Sequence, residues 1–142
     1  MNGWLLDTNV IGSLAAPNGA PSVKTWVRSR DEVDLYISIL TLAEYDKGIA
    51  QLADGDPRRA QVARLRDGIR SEFESRILPV SDAVVRRWGE MAGRIRRDTG
   101  HPPPVVDTML AATAVEHGLC LVTRNTRDVA STGALLFDPW RD

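Results

Sequence analysis

Two short apolar runs, Trp4-Leu5-Leu6 near the start of the chain and Leu119-Cys120-Leu121-Val122 near its end, each stop abruptly in polar residues: Asp7-Thr8-Asn9 and Thr123-Arg124-Asn125. An apolar run this short, with no polar residue alternating through it, reads as a strand buried on both faces, as in a parallel sheet covered by helices. Open α/β sheets bind their ligands at the carboxyl ends of such strands. Asp7 and Thr123 are therefore placed where chemistry would sit.

The segments between these runs supply the covering helices. Pro17-Asn18-Gly19-Ala20-Pro21 is a loop, with Ser22 suited to cap a helix over Val23-Lys24-Thr25-Trp26-Val27. Leu35 to Ile39, rich in β-branched and aromatic residues, reads as a second strand. From Thr41 onward, Leu42, Tyr45, Ile49 and Leu52 recur at helical spacing, which puts Glu44 in the first turn of that helix. Asp54-Gly55-Asp56-Pro57 breaks the pattern, and Pro57 is suited to open a helix carrying Val62, Leu65, Ile69 and Phe73. Ile77 to Val80 is a short strand or extended connector, and Ser81 or Asp82 caps a helix with Val84, Val85, Trp88, Met91, Ala92 and Ile95 on one face. After Gly100-His101-Pro102-Pro103-Pro104, a helix from about Val105 is apolar or small on every face, the mark of a helix buried among neighbours. Asp107 lies in its first turn and Gly118 stops it. Leu135-Leu136-Phe137 suggests a last edge strand. Strands alternating with helices predict an α/β fold whose sheet is mostly parallel, with helices on both faces.

At 142 residues and 43% hydrophobic content, the chain suits one domain spanning 1–142. No apolar run nears the roughly 20 residues that cross a bilayer, and the amino terminus lacks a basic-then-apolar leader, so a soluble, cytoplasmic protein is expected. The lone Cys120 sits inside an apolar run with nothing basic beside it, as a strand-core residue would. The net charge of −1 argues against a freely basic nucleic-acid binder, but the average hides an asymmetry. Residues 58 to 97 hold eleven arginines against five acids, a local balance of +6, which leaves −7 for the remainder. That arginine-rich stretch is either a solvated helical face or a phosphate-facing flank beside an acidic centre.

Four acids each adjoin an apolar segment: Asp7, Glu44, Asp107 and Asp128. Two follow strands and two belong to the first turns of helices, and in a parallel layer these positions share one edge of the sheet. Carboxylates gathered there need a positive partner to stay ionised. With no paired Cys or His ligands, and with His101 and His117 in a Pro-rich loop and at a helix end, oxygen-only ligation favours Mg²⁺ or Mn²⁺. Such ions can activate a water and neutralise charge on a phosphodiester. Thr123 and Asn125 could hydrogen-bond a carboxylate or a water of that shell. Taken singly, each acid could instead be a cap or a turn residue.

The motifs themselves resemble those of PIN-domain nucleases. Leu5-Leu6-Asp7-Thr8-Asn9-Val10 and Ser38-Ile39-Leu40-Thr41-Leu42-Ala43-Glu44-Tyr45 with Gly48 resemble the first two. Val106-Asp107-Thr108-Met109-Leu110-Ala111-Ala112-Thr113-Ala114 and Leu121-Val122-Thr123-Arg124-Asn125, with Asp128 three residues on, resemble the third and fourth. The likeness is greatest to VapC-type toxins of bacterial toxin-antitoxin pairs. It implies a three-layer α/β/α fold with a central sheet of four or five strands, and a Mg²⁺- or Mn²⁺-dependent endoribonuclease. It also implies a small cognate antitoxin that blocks the site, homodimers or hetero-oligomers with that antitoxin, and operator DNA bound only through it. The implied metal set is Asp7, Glu44, Asp107 and Asp128, assisted by Thr123 with Asn125 accompanying it. Val129 follows Asp128 where the family usually carries an aromatic residue, and Asp46, two residues past Glu44, is an extra acid expected at the surface.

Two rival readings remain at this stage. A phosphoaspartate receiver or phosphatase also uses an Asp after the first strand, but position 9 is Asn where the phosphatase pattern needs Asp, and the only lysines, Lys24 and Lys47, come early. A non-catalytic PIN-like subunit of a repressor complex is the other.

Overall fold

The computed structural model describes residues 2–141. Five strands form the sheet: β1 (Trp4–Leu6), β2 (Leu35–Ser38), β3 (Ile77–Leu78), β4 (Cys120–Val122) and β5 (Leu136–Phe137). They lie in the order β3-β2-β1-β4-β5, and every pairing is parallel, with Leu5 opposite Tyr36 on one side and Leu121 on the other. The sheet thus has five strands and is wholly parallel, the upper count and the stricter form of the expectation.

Among the described residues seven α-helices accompany the sheet: α1 (Thr8–Ala15), α2 (Pro21–Arg28), α3 (Ile39–Gln51), α4 (Arg58–Glu72), α5 (Asp82–Thr99), α6 (Val105–His117) and the single turn α7 (Thr126–Val129). Two apolar clusters sit on opposite faces. One gathers Leu5 and Leu121 with α5 and α6; the other gathers Leu6, Ile37 and Val122 with α1, α2 and α4. Because successive strand residues point to opposite faces, Leu5 and Leu6 serve different clusters and both are fully buried. This is the physical reason the first run contains no polar residue.

Local chemistry sets the element ends. Ser81 caps α5 by accepting from the Val84 N–H at 3.2 Å, while Gly100 and Gly118 end α5 and α6 in left-handed conformations that a β-carbon disfavours. Two boundaries differ from the sequence expectation. Pro21, with its φ already helical, opens α2 after Ala20, so Ser22 lies inside the helix rather than capping it. Ser38 ends β2 and immediately caps α3 through the Leu40 N–H at 3.0 Å. Helix α3 therefore begins at Ile39, two residues early, and Glu44 sits in its second turn rather than its first.

Helix α6 is as buried as its composition demands: Leu110, Ala111, Ala112 and Ala114 are enclosed. Thr108 tolerates burial because its hydroxyl donates to the Pro104 carbonyl at 2.5 Å and accepts from Trp88 Nε1 at 3.0 Å, tying α6 to α5. Asp46 is at the surface as expected and has a partner. Arg66 of α4 grips it through two bonds of 2.9 and 3.1 Å, joining α3 to α4. Leu110→Ala is expected to lose about 2–5 kcal/mol in urea unfolding through an uncollapsed cavity, whereas Asp46→Ala, a largely exposed pair, is expected to lose no more than about 1 kcal/mol.

Candidate active site

The strand order reverses between β1 and β4. The chain fills β1, β2 and β3 on one side, then crosses back to add β4 and β5 on the other. A crevice opens at the carboxyl ends of the two strands that flank such a switch point. Asp7 directly follows β1 and Thr123 directly follows β4, and the two residues meet. The Thr123 hydroxyl donates to Asp7 Oδ2 at 2.7 Å, while the Thr8 N–H donates to Asp7 Oδ1 at 2.7 Å.

Asp7 is almost entirely buried, at 6% exposure. Burial raises its pKa, and the nearby Glu44 charge adds to the rise; the Thr123 and Thr8 hydrogen bonds oppose it without cancelling it. Asp107, in the first turn of α6, is raised in the same way, by burial first, then by Asp7, then by Asp128. Asp7 and Asp107 are thus raised by burial first, with neighbouring carboxylate charge adding to it. Among the described residues, none of Asp7, Glu44, Asp107 or Asp128 forms an ion pair.

Glu44 reaches the site by a route the sequence did not indicate. It is exposed, and its Oε1 accepts from the Thr8 hydroxyl at 2.7 Å; that hydroxyl lies 3.1 Å from the Thr41 hydroxyl, itself fully buried. A side-chain donor from α1, rather than the amino end of its own helix, orients this carboxylate. Asp7, Glu44, Asp107 and Asn125 line one cleft of about 630 Å³. Asp128 is exposed and opens onto a neighbouring pocket, and its tie to the cleft is the charge it exerts on Asp107. Four of the six residues singled out from sequence therefore share the cleft, Thr123 supports it from beneath, and Asp128 stands at its border.

The sequence expectation placed neither Thr8 nor Asn9 among the site residues, although both lie in the polar end of the first apolar run. Asn9 Nδ2 donates to Asp7 Oδ2 and to Thr123 Oγ1, each at 3.4 Å, and its Oδ1 is buried with no hydrogen-bond partner. The signal was available in a hydroxyl and an amide directly behind a strand-end carboxylate. Arg58 also lines the cleft, although its guanidinium is engaged by Asp56, whose carboxyl its hydrogen bonds lower to about 2. Other arginines of the basic middle are spent on the fold: Arg94 donates to the Ser131 and Thr132 carbonyls and Arg87 pairs with Glu116 at 2.6 Å.

The donor set suits a hard divalent cation. It is all oxygen, Asp7 and Asp107 are raised by burial and by neighbouring carboxylate charge, and the orphaned Asn9 carbonyl oxygen has no other partner. Among the described residues no three acidic, His or Cys side chains are drawn together into a ready-made cage, as expected of like charges facing one another across a cleft. Cys120 is buried, and burial pushes its thiol up, consistent with a core residue.

The family model for the PIN domain matches residues 4–134. Toxin FitB of Neisseria gonorrhoeae is 33% identical over 97% of this chain and 99% of its own length. VapC ribonuclease Y4jK of Sinorhizobium fredii is 29% identical over 96% of each. Among solved structures, FitAcB from Neisseria gonorrhoeae superposes with a TM-score of 0.85 at 32% identity, covering 98% of this chain and 99% of that one. FitAB bound to a DNA fragment superposes at 0.83 and 31%, covering 96% and 95%. With the acid cleft at the β1/β4 switch point and a family match along most of its length, this chain belongs to the PIN-domain family.

Proposed function

We propose that this chain, acting as one domain over 1–142, is a Mg²⁺- or Mn²⁺-dependent endoribonuclease and the toxin of a toxin-antitoxin pair. The observation that carries the reading is a set of unpaired carboxylates, Asp7 buried among them, facing one cleft at the switch point of a parallel sheet. Similarity to a named VapC ribonuclease supports the reaction, and similarity to FitB and to FitAB bound to DNA supports the toxin role. On this reading the partner is a small antitoxin, operator DNA is met only through that partner, and the toxin pairs as a homodimer or within the mixed assembly.

Asp7, Glu44 and Asp107 would hold the cation, with Asp128 completing the set from the border. A divalent cation bound there makes an attacking water more acidic and neutralises charge on the phosphodiester. The chain's own residues prepare that event. Thr123, Asn9 and the Thr8 N–H fix both oxygens of Asp7, so its lone pairs point in one direction before any ligand arrives. The Thr8 hydroxyl does the same for Glu44. Asn125 is exposed at the cleft wall, where its amide can hydrogen-bond a phosphate or ribose oxygen.

Purified wild type is expected to cut cellular RNA into discrete products with Mg²⁺ or Mn²⁺ and to be silent with chelator. Asp7→Asn should abolish cleavage, and Glu44→Gln and Asp107→Asn should each lower the rate by roughly 10²-fold or more, the scale seen when one preorganised electrostatic group is removed. Intact RNA from metal-loaded wild type would return the chain to a binding role.

Stability gives an independent check. A folded-state pKa raised above the unfolded value means that Asp7 contributes most favourably below its unfolded pKa and loses that contribution as pH rises through the folded pKa. In chelator at neutral pH, Asp7→Asn is therefore expected to melt at a higher temperature than wild type. The gap should narrow as pH falls through the raised folded-state pKa and be closed once pH is below the unfolded Asp value, about 3.9. A neutral-pH gap of zero or of opposite sign in thermal denaturation would remove the claim that Asp7 is strained in the metal-free protein.

A further inference from the structure

Beside the acid cleft, the turn after β4 opens onto a second pocket of about 630 Å³. Asn125 lines both, so the two adjoin at that residue. The second pocket is lined by Arg124, Arg127 and Arg141 together with Trp140, and two acids, Asp128 and Asp138, share it. The Arg124 guanidinium carbon lies 5.4 Å from the Trp140 ring centroid, within range for a cation resting on an aromatic face. Among the described residues Arg124 has no acidic partner, whereas Asp138 is occupied, accepting from the Trp140 N–H at 2.8 Å and lying 4.0 Å from Arg141.

Trp140 is anchored from behind by packing against the cluster that holds Phe137, and Asp138 fixes its backbone. Arg124 is the first exposed residue after the buried Thr123, so its backbone is pinned at the point where Thr123 grips Asp7. An exposed guanidinium with no acidic partner among the described residues, laid over an indole packed against the core, presents a planar, cationic, partly apolar surface. Unpaired nucleobases stack on such surfaces, while paired bases in a duplex hide their faces. The acid cleft, for its part, repels phosphate. A substrate strand needs attractive contacts on the flank, and Arg127 and Arg141 border the same pocket.

Resting on the ribonuclease reading above, we propose that Arg124 stacked on Trp140 is a platform for an unpaired base of the RNA strand next to the scissile phosphate, with Arg127 and Arg141 facing the adjoining phosphates. The enzyme would then select single-stranded or looped RNA over duplex at this position.

The test separates a stacking plane from a point charge. Arg124→Lys keeps the charge and loses the plane. In the full chain carrying Asp7→Asn to block cleavage, with Mg²⁺ present, binding of a labelled single-stranded oligoribonucleotide is followed by fluorescence anisotropy across a salt series. Arg124→Lys is expected to weaken binding by roughly 5- to 100-fold, the loss of one stacked base, with the salt slope unchanged. Trp140→Phe, which keeps an aromatic support, should fall well short of Trp140→Leu. The same oligonucleotide annealed into a duplex should compete poorly. Thermal melting of each variant separates a lost platform from a lost fold, and Arg124→Lys, being at the surface, carries the decision if Trp140→Leu unfolds.

Wild-type affinity in Arg124→Lys, equal competition by duplex, or no binding of any single strand would each overturn the platform. Its fate is distinct from that of the ribonuclease reading. Metal-dependent cleavage that is indifferent to Arg124→Lys leaves the nuclease standing and removes the platform. Arg124-dependent binding of single strands without any cleavage by wild type leaves the platform and removes the nuclease.

Discussion

The hydrogen bond from the Thr123 hydroxyl to Asp7 Oδ2 joins the ends of the two central strands at the point where the sheet reverses its order. A carboxylate so deeply buried is costly unless its oxygens are satisfied, and the nearby Glu44 charge makes it costlier. Both Asp7 oxygens are therefore spoken for by Thr123, Asn9 and the Thr8 N–H. The rest of the fold follows from holding that group in place. Strand β1 is paired on both sides, Leu5 and Leu6 anchor it to opposite cores, and α6 has the small residues that let it lie close while carrying Asp107 to the same edge.

Such a site is a source of instability that the surrounding packing offsets. Burial raises the proton affinity of both Asp7 and Asp107, and charge from Glu44 adds to the first and charge from Asp7 and Asp128 to the second. Two fully packed faces around a short central strand are what permit one strand end to carry this strain. The same logic explains where polar residues are buried. Thr41, Thr108, Thr113 and Thr132 each sit in the interior with a hydroxyl contact close at hand, the last three bonding to a backbone carbonyl within their own turn. Buried hydroxyls here are locally satisfied, and the unsatisfied atom at the cleft, Asn9 Oδ1, stands apart from them.

What the sequence made legible was whatever depends on short-range chemistry. The strand ends before Asp7 and Thr123, a cap at Ser81 or Asp82 that Ser81 supplies, the glycine stops at Gly100 and Gly118, and the all-round burial of α6 are encoded within a few residues of where they act. What it concealed depends on partners distant in the chain. Ile39 looks like the end of a strand because it is β-branched and follows Leu35-Tyr36-Ile37, yet the Ser38 side chain captures the Leu40 N–H and starts the helix there. Glu44 was assigned to a helix start when its orientation comes from Thr8, 36 residues earlier. The arginine-rich middle could not be divided in advance, because whether Arg66, Arg87 or Arg94 faces water, an acid or a carbonyl is settled by α3, α6 and the turn after α7. Asp128 was legible as an acid near the site but not as one bordering a different pocket from Asp107.

The Thr123 hydroxyl has one proton and two lone pairs, and all three are used. It donates to Asp7 and accepts from the Asn125 N–H at 3.0 Å and from Asn9 Nδ2 at 3.4 Å. The first bond sets the carboxylate; the second sets the direction in which the chain leaves β4, and hence where Arg124 and Asn125 emerge. One side chain thus ties the acid cleft to the wall of the neighbouring arginine pocket that Arg124 and Asn125 form. A threonine satisfies this better than an alanine or valine could, because losing the hydroxyl would leave the Asn125 N–H and Asp7 Oδ2 each short of a partner at the same moment. The strand end is therefore rigid for a reason that belongs to both pockets, and a strand of RNA crossing from one to the other would meet surfaces whose separation is already set.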